Sequence, residues 1–177
     1  MSEVRGRYIT SAGFLMSLYP KQRVEADRLL YAQTGKHFYE LEPEGWYDTK
    51  WIKLFLDKYV EASPSGDNAL ITFGRKIYPA IKSKLPEHLK TPLDYLRFET
   101  EGYVQAHKGP DVRPRKILIA LDGEFIVQAL VPQWHNSKMY EGVFLGILEM
   151  CGVKTGKVTK ETILESKESI VEFHVTW

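Results

Sequence analysis

The sequence predicts an α+β fold: a mainly helical part over residues 1–110, then an antiparallel sheet with one helix over 111–177, in the order β-β-α-β-β. Three observations lead there. Apolar residues recur three and four apart through much of the N-terminal part, the spacing of amphipathic helices. Asp122-Gly123 separates two runs rich in β-branched residues, and both turn positions favour the left-handed conformations of a tight hairpin. Near the C-terminus Val171, Phe173, Val175 and Trp177 alternate with Glu172, His174 and Thr176, the period-two pattern of a half-buried strand. The 177 residues are expected to form one domain.

Taken in order, Arg7-Tyr8-Ile9-Thr10 reads as a short strand or extended arm from its β-branched and aromatic content. A helix follows from Pro20 to about Gln33, stopped by Thr34-Gly35. Asp48 can cap the next, whose stripe is Trp51, Ile52, Phe55, Leu56 and Tyr59. After the turn Ser63-Pro64-Ser65-Gly66-Asp67, helical spacing resumes from Ala69 to Ile81, with Pro79 expected to kink or shorten it. Thr91-Pro92-Leu93-Asp94 combines a cap, a first-turn proline and an early acid, so a helix starts there and ends by Gly109-Pro110. Asp111 to Lys116 is then an exposed basic loop. The hairpin pairs Ile117–Leu121 with Phe125–Val131. Ser137 can cap a last helix carrying Tyr140, Val143, Phe144, Ile147, Leu148 and Cys151. Gly142 and Gly146 lie four apart on one face of it, as where a helix approaches a neighbour closely. Strands Val158–Leu164 and Ile170–Trp177 close the chain.

Composition narrows the function classes. Lys and Arg total 24 against 23 Asp and Glu, a net charge of +1, so no global field draws the chain to nucleic acid or an anionic membrane. One cysteine, Cys151, removes any internal disulfide and every multi-cysteine zinc site. No stretch has the apolar length of a signal peptide or of a membrane span, and the expected location is the cytoplasm.

The set Gly45-Trp46-Tyr47-Asp48, Phe73-Gly74-Arg75, Leu85-Pro86, Asp94-Tyr95-Leu96, Gly142 to Leu148 and Val175-Thr176-Trp177 resembles a bacterial family of about this length found mainly in myxobacteria and their relatives. More distantly, the helical half plus the β-β-α-β-β half resembles the H-NOX (haem nitric oxide/oxygen-binding) fold and the 4-vinyl reductase (V4R) ligand-binding domains. That resemblance implies two halves that enclose an apolar or lipid-like ligand, and a sensor's role in bacterial signalling with a partner protein. In H-NOX domains a histidine on the helix before the sheet ligates haem, shortly after a leucine-proline-glutamate segment and an aspartate-x-leucine. Matching Leu85-Pro86-Glu87 and Asp94-Tyr95-Leu96 puts Arg97 at that position, and a guanidinium offers no lone pair to iron. The tyrosine-x-serine-x-arginine motif for the haem propionates has no counterpart in Gln133-Trp134-His135-Asn136-Ser137. The resemblance therefore implies a haem-free relative, with no metal or other cofactor expected; Cys151 alone cannot replace the cysteines of the zinc-binding V4R sensors.

No pair among His37, His88, His107, His135 and His174 has the local spacing of a metal site. His88 and His107 bracket Arg97 and are the alternatives for an iron ligand, should the domain be a haem gas sensor with an unusual ligand. No nucleophile elbow, phosphate loop or dinucleotide fingerprint occurs, so neither catalytic residues nor enzyme activity are expected. Aromatic residues from several elements read either as a filled core or as an apolar cavity. On the cavity reading the ligand-binding residues are Arg75, Tyr78, Tyr95, Arg97, Phe98, Trp134, Tyr140 and Phe144, with Arg75, Arg97 and Tyr140 as polar handles. The ligand is expected between the helix of Arg97 and the sheet beginning at Ile117, unless Arg97 instead pairs with Glu101. On the filled-core reading the chain is a protein–protein interaction module. It would work through a sheet edge or the basic loop of His107, Lys108, Arg113, Arg115 and Lys116. That loop has no interleaved aromatics to stack on bases, so nucleic acid is not an expected partner.

Overall fold

In the computed structural model, which describes residues 1–132, 135–165 and 168–177 and only the backbone at 164, 165 and 168, the chain closes on a four-stranded antiparallel sheet. Its strands are β4 (Lys116–Leu121), β5 (Glu124–Leu130), β6 (Lys157–Glu165) and β7 (Glu168–Thr176), in the order β4-β5-β7-β6. Helix α6 (Ser137–Met150) joins the two hairpins, which is the expected β-β-α-β-β order. Asp122-Gly123 makes the first turn, with Leu121 opposite Glu124 and Gly123 at φ +88°. Phe125, Val127 and Ala129 stand opposite Val175, Phe173 and Val171, and all six are buried. The period-two pattern thus becomes one apolar face.

The helical part comprises α1 (Gly6–Leu15), α2 (Pro20–Thr34), α3 (Lys50–Ala62), α4 (Ala69–Ile81) and α5 (Pro92–Ala106). All five stripe residues of α3 are buried, and Asp48 accepts the Lys50 N–H at 2.8 Å as its first turn begins. At the start of α5, Thr91 Oγ1 accepts the Asp94 N–H while Asp94 accepts the N–H groups of Thr91 and Lys90. Those bonds hold the Asp94 carboxyl below its ordinary range, the Thr91 N–H contributing most. Pro79 lies inside α4, which ends two residues later.

Two expectations shift. Arg7–Thr10 is helical, inside α1, and the extended segment is β1 (Glu3–Arg5). The β propensity of Tyr8, Ile9 and Thr10 gives way because Ile9, Ala12 and Met16, spaced like one helical face, are all buried. The cap of α6 is Asn136, whose Oδ1 accepts the Lys138 N–H at 2.9 Å, one residue before Ser137. A second sheet, β2-β1-β3, forms from β1, β2 (Trp46–Asp48) and β3 (His107–Lys108), strands too short to leave a period in the sequence.

Two apolar cores result. One gathers α1, α2, α3 and the start of α4 around Phe55, Phe38 and Met16. The other packs α5 and α6 on the sheet around Phe144, Phe173 and Ile147. Helices α4 and α6 join them through glycines: a Cβ at Gly142 would stand 2.2 Å from the Ile71 carbonyl oxygen, and one at Gly74 2.2 Å from that of Met139. No helix among the described residues is long and apolar enough to cross a membrane.

Candidate functional site

Between the two cores lies a cavity of about 480 Å³. Its apolar wall is Ala12, Leu15, Ile52, Phe73, Ile77, Met139 and Val143, contributed by α1, α3, α4 and α6. The polar end is built from Tyr78, Glu99, Tyr103, His107, Arg115, His135 and Tyr140.

Arg115 is the centre of that end. It directly precedes β4, and its side chain is only 2% exposed. One terminal nitrogen, Nη1, donates to Glu99 Oε1 at 3.0 Å, and the other carboxylate oxygen of Glu99 accepts the Tyr78 hydroxyl at 2.8 Å. The guanidinium carbon lies 4.3 Å from the Tyr103 ring centroid and 4.2 Å from that of Tyr140, a cation held against two aromatic faces. Its second terminal nitrogen, Nη2, is buried with no hydrogen-bond partner of ordinary geometry among the described residues.

The imidazoles sit beside this group. His107 Nδ1 donates to the Tyr103 carbonyl at 3.0 Å, which fixes its tautomer, and its ring stacks on Tyr103 at 4.4 Å. Burial, joined by the charges of Arg115 and Arg7, pushes the His107 pKa down to about 4. His135 Nδ1 meets the Tyr140 hydroxyl, and burial, then His107 and Arg115, push that imidazole well below its usual range. Burial lifts the phenol of Tyr8 to about 12 and those of Tyr78 and Tyr140 well above 10. Neither imidazole nor any of these three phenols titrates near neutrality.

A pH dependence follows. Folded His107 binds fewer protons than the unfolded chain between its folded pKa of about 4 and the ordinary 6.5. Its contribution to stability is therefore complete above about pH 6.5 and is lost as the pH falls toward 4, by about 2 to 3 kcal/mol. Urea denaturation at a series of pH values should show this fall, and His107→Gln should make it shallower while leaving the part that His135 contributes; an unchanged slope in the variant would place the titrating group elsewhere.

Of the expected ligand-binding residues, Tyr78, Phe98 and Tyr140 line the cavity. Arg75 lies on the exposed side of α4, 3.4 Å from Glu149. Arg97 is exposed rather than turned inward, because α5 buries Tyr95, Leu96, Thr100 and Tyr103 and leaves Arg97 on its solvent side. Tyr95 is buried, its hydroxyl donating to the Leu89 carbonyl at 3.0 Å, and Phe144 packs edge-on against Phe173 inside the second core. Neither lines the cavity. Trp134 lies outside the described residues. Among the described residues the cavity is walled by helices, loops and His107 of β3, and not by the sheet that holds Ile117. Arg115 was expected in an exposed basic loop; it is buried, because Glu99 and two aromatic rings draw it inward. Sequence reasoning also missed Glu99 and His135. One signal was present: Glu99 and Tyr103 lie four apart on one face of α5, and His107 follows four residues later, just past its end. Among the described residues no group of three or more His, Cys, Asp or Glu side chains could hold a metal ion.

No protein-family model matches the sequence, and no curated protein does. Solved structures do. An H-NOX domain from a study of haem distortion superposes with a TM-score of 0.72 at 13% identity, over 98% of this chain and 94% of that one. A mutant of the T. Tengcongensis H-NOX domain gives 0.69 at 12% identity, over 97% and 96%. An oxygen-binding H-NOX domain related to soluble guanylate cyclases, solved as its oxygen complex, gives 0.68 at 13%, over 97% and 91%. Such identities speak to architecture and not to the ligand. The chain therefore has an H-NOX-like α+β fold, as its sequence resemblance implied.

Proposed function

We propose that the chain is a non-enzymatic signalling domain that binds a small, largely apolar molecule in this cavity and carries no haem. The observation that carries this reading is the cavity itself, apolar on one side and ending in a buried, charge-balanced polar cluster. Its volume falls in the range of small-molecule sites, about 300–1,000 Å³. Haem fits the residues poorly. Arg97, at the matched ligand position, is exposed. Acid–base catalysis at neutral pH also lacks support, since the imidazoles titrate too low and the phenols too high.

The test is a native mass spectrum of freshly purified protein set beside its denatured mass. The expected result is an extra mass lost on denaturation, without a haem absorption band. Ala12→Phe places a ring in the cavity and should abolish that extra mass while leaving the circular dichroism spectrum intact. Equal native and denatured masses per subunit would favour the interaction module with a filled core.

A further inference from the structure

We infer that the ligand is an electrically neutral molecule bearing one hydrogen-bond-accepting oxygen, of the ketone, aldehyde, ester or amide class, which docks on Arg115 Nη2. The inference rests on the cavity reading above and goes on to specify the chemistry of its occupant. Nη2 belongs to a side chain that is 2% exposed and lines the cavity, and the atom itself has no hydrogen-bond partner of ordinary geometry among the described residues. A buried donor without an acceptor is costly, and a carbonyl oxygen on the ligand would relieve that cost through a charge-assisted bond. A pure hydrocarbon would leave the donor unsatisfied.

Counting charge argues against an anionic ligand. The single positive charge of Arg115 is already met by Glu99, whose two carboxylate oxygens are taken up by Arg115 Nη1 and the Tyr78 hydroxyl. The other cations on the lining, Arg7 and Lys84, are exposed, and Arg7 is paired with Glu44. A carboxylate entering at Nη2 would therefore be an uncompensated buried charge. The rings of Tyr103 and Tyr140 lie against the guanidinium, 4.3 and 4.2 Å from its carbon.

The experiment titrates the full chain with three probes of matched size, ethylbenzene, acetophenone and phenylacetate, by calorimetry or by chemical-shift perturbation. Acetophenone is expected to bind about tenfold more tightly than either of the others, the equivalent of one charge-assisted hydrogen bond. Glu99→Gln removes the compensating charge, so phenylacetate should gain at least about tenfold relative to acetophenone. The double variant Arg115→Met with Glu99→Gln stays charge-balanced and should bind ethylbenzene and acetophenone alike. If phenylacetate binds most tightly to the unaltered protein, or ethylbenzene equals acetophenone, the inference is overturned and the cavity reading stands. If none of the three binds, the cavity reading falls and the inference with it. The ranking on the unaltered protein decides the matter even where a variant fails to fold.

Discussion

Replacing Arg115 by alanine is expected to destabilise the fold by about 3–5 kcal/mol, the cost of leaving a buried charge without its partner. Glu99 has no other cation within ion-pairing distance among the described residues, and its side chain is only 17% exposed. Tyr103 and Tyr140 would lose the cation that their ring faces hold, and Tyr78 would be left bonded to an unpaired carboxylate. Removing both charges together is a different matter. Arg115→Met with Glu99→Gln should fall well short of the single variant's loss, because buried ion pairs replaced by groups of similar volume are often close to neutral. Urea denaturation of the three proteins measures the contrast. A midpoint for Arg115→Ala within about 1 kcal/mol of the unaltered protein would mean that solvent reaches the pair, as at ordinary surface ion pairs.

Gly142→Ala is expected to cost about 3 kcal/mol or more, at the upper end of what overpacking does, because the atom it meets cannot move aside. The new Cβ would stand 2.2 Å from the Ile71 carbonyl oxygen and 3.0 Å from the Gly74 Cα, both backbone atoms of α4. Relief requires α4 and α6 to separate, and with them the two cores that border the cavity. Gly102→Ala is the control. It sits in α5, where a Cβ meets nothing within 4 Å, so the gain in helix propensity should stabilise the protein by about 0.5–1 kcal/mol. Opposite signs for the two variants in thermal or urea unfolding are the expected result; two small effects of the same sign would show that the helices part without strain.

Much of the fold was legible because its signals are local. A turn needs two residues, a cap needs four, and an amphipathic stripe repeats within one element, as at Asp122-Gly123, at Thr91 to Asp94 and along α3. Where propensity and packing disagreed, at Arg7–Thr10, packing prevailed, since burying Ile9 and Ala12 outweighs the tenths of a kcal/mol that separate β formers from helix formers. The site was less legible. Tyr78, Phe98 and Tyr140 line the cavity, whereas Arg75 and Arg97, the expected polar handles, are exposed. An arginine on a helix faces either way until the helix has been docked.

By itself the sequence determined the fold class, the β-β-α-β-β order, the starts of α2, α4 and α5 and the close-packing glycines of α6, because periodicity and turn chemistry act over a few neighbouring residues. Only the tertiary structure decided which arginine is buried. Arg113, Arg115 and Lys116 look alike in one basic loop, and Arg115 alone is ion-paired to Glu99, sixteen positions earlier on α5, between rings supplied by α5 and α6. The physical reason is that burying a charge requires a counter-charge brought into place by the packing of separate elements, and no local pattern encodes that meeting.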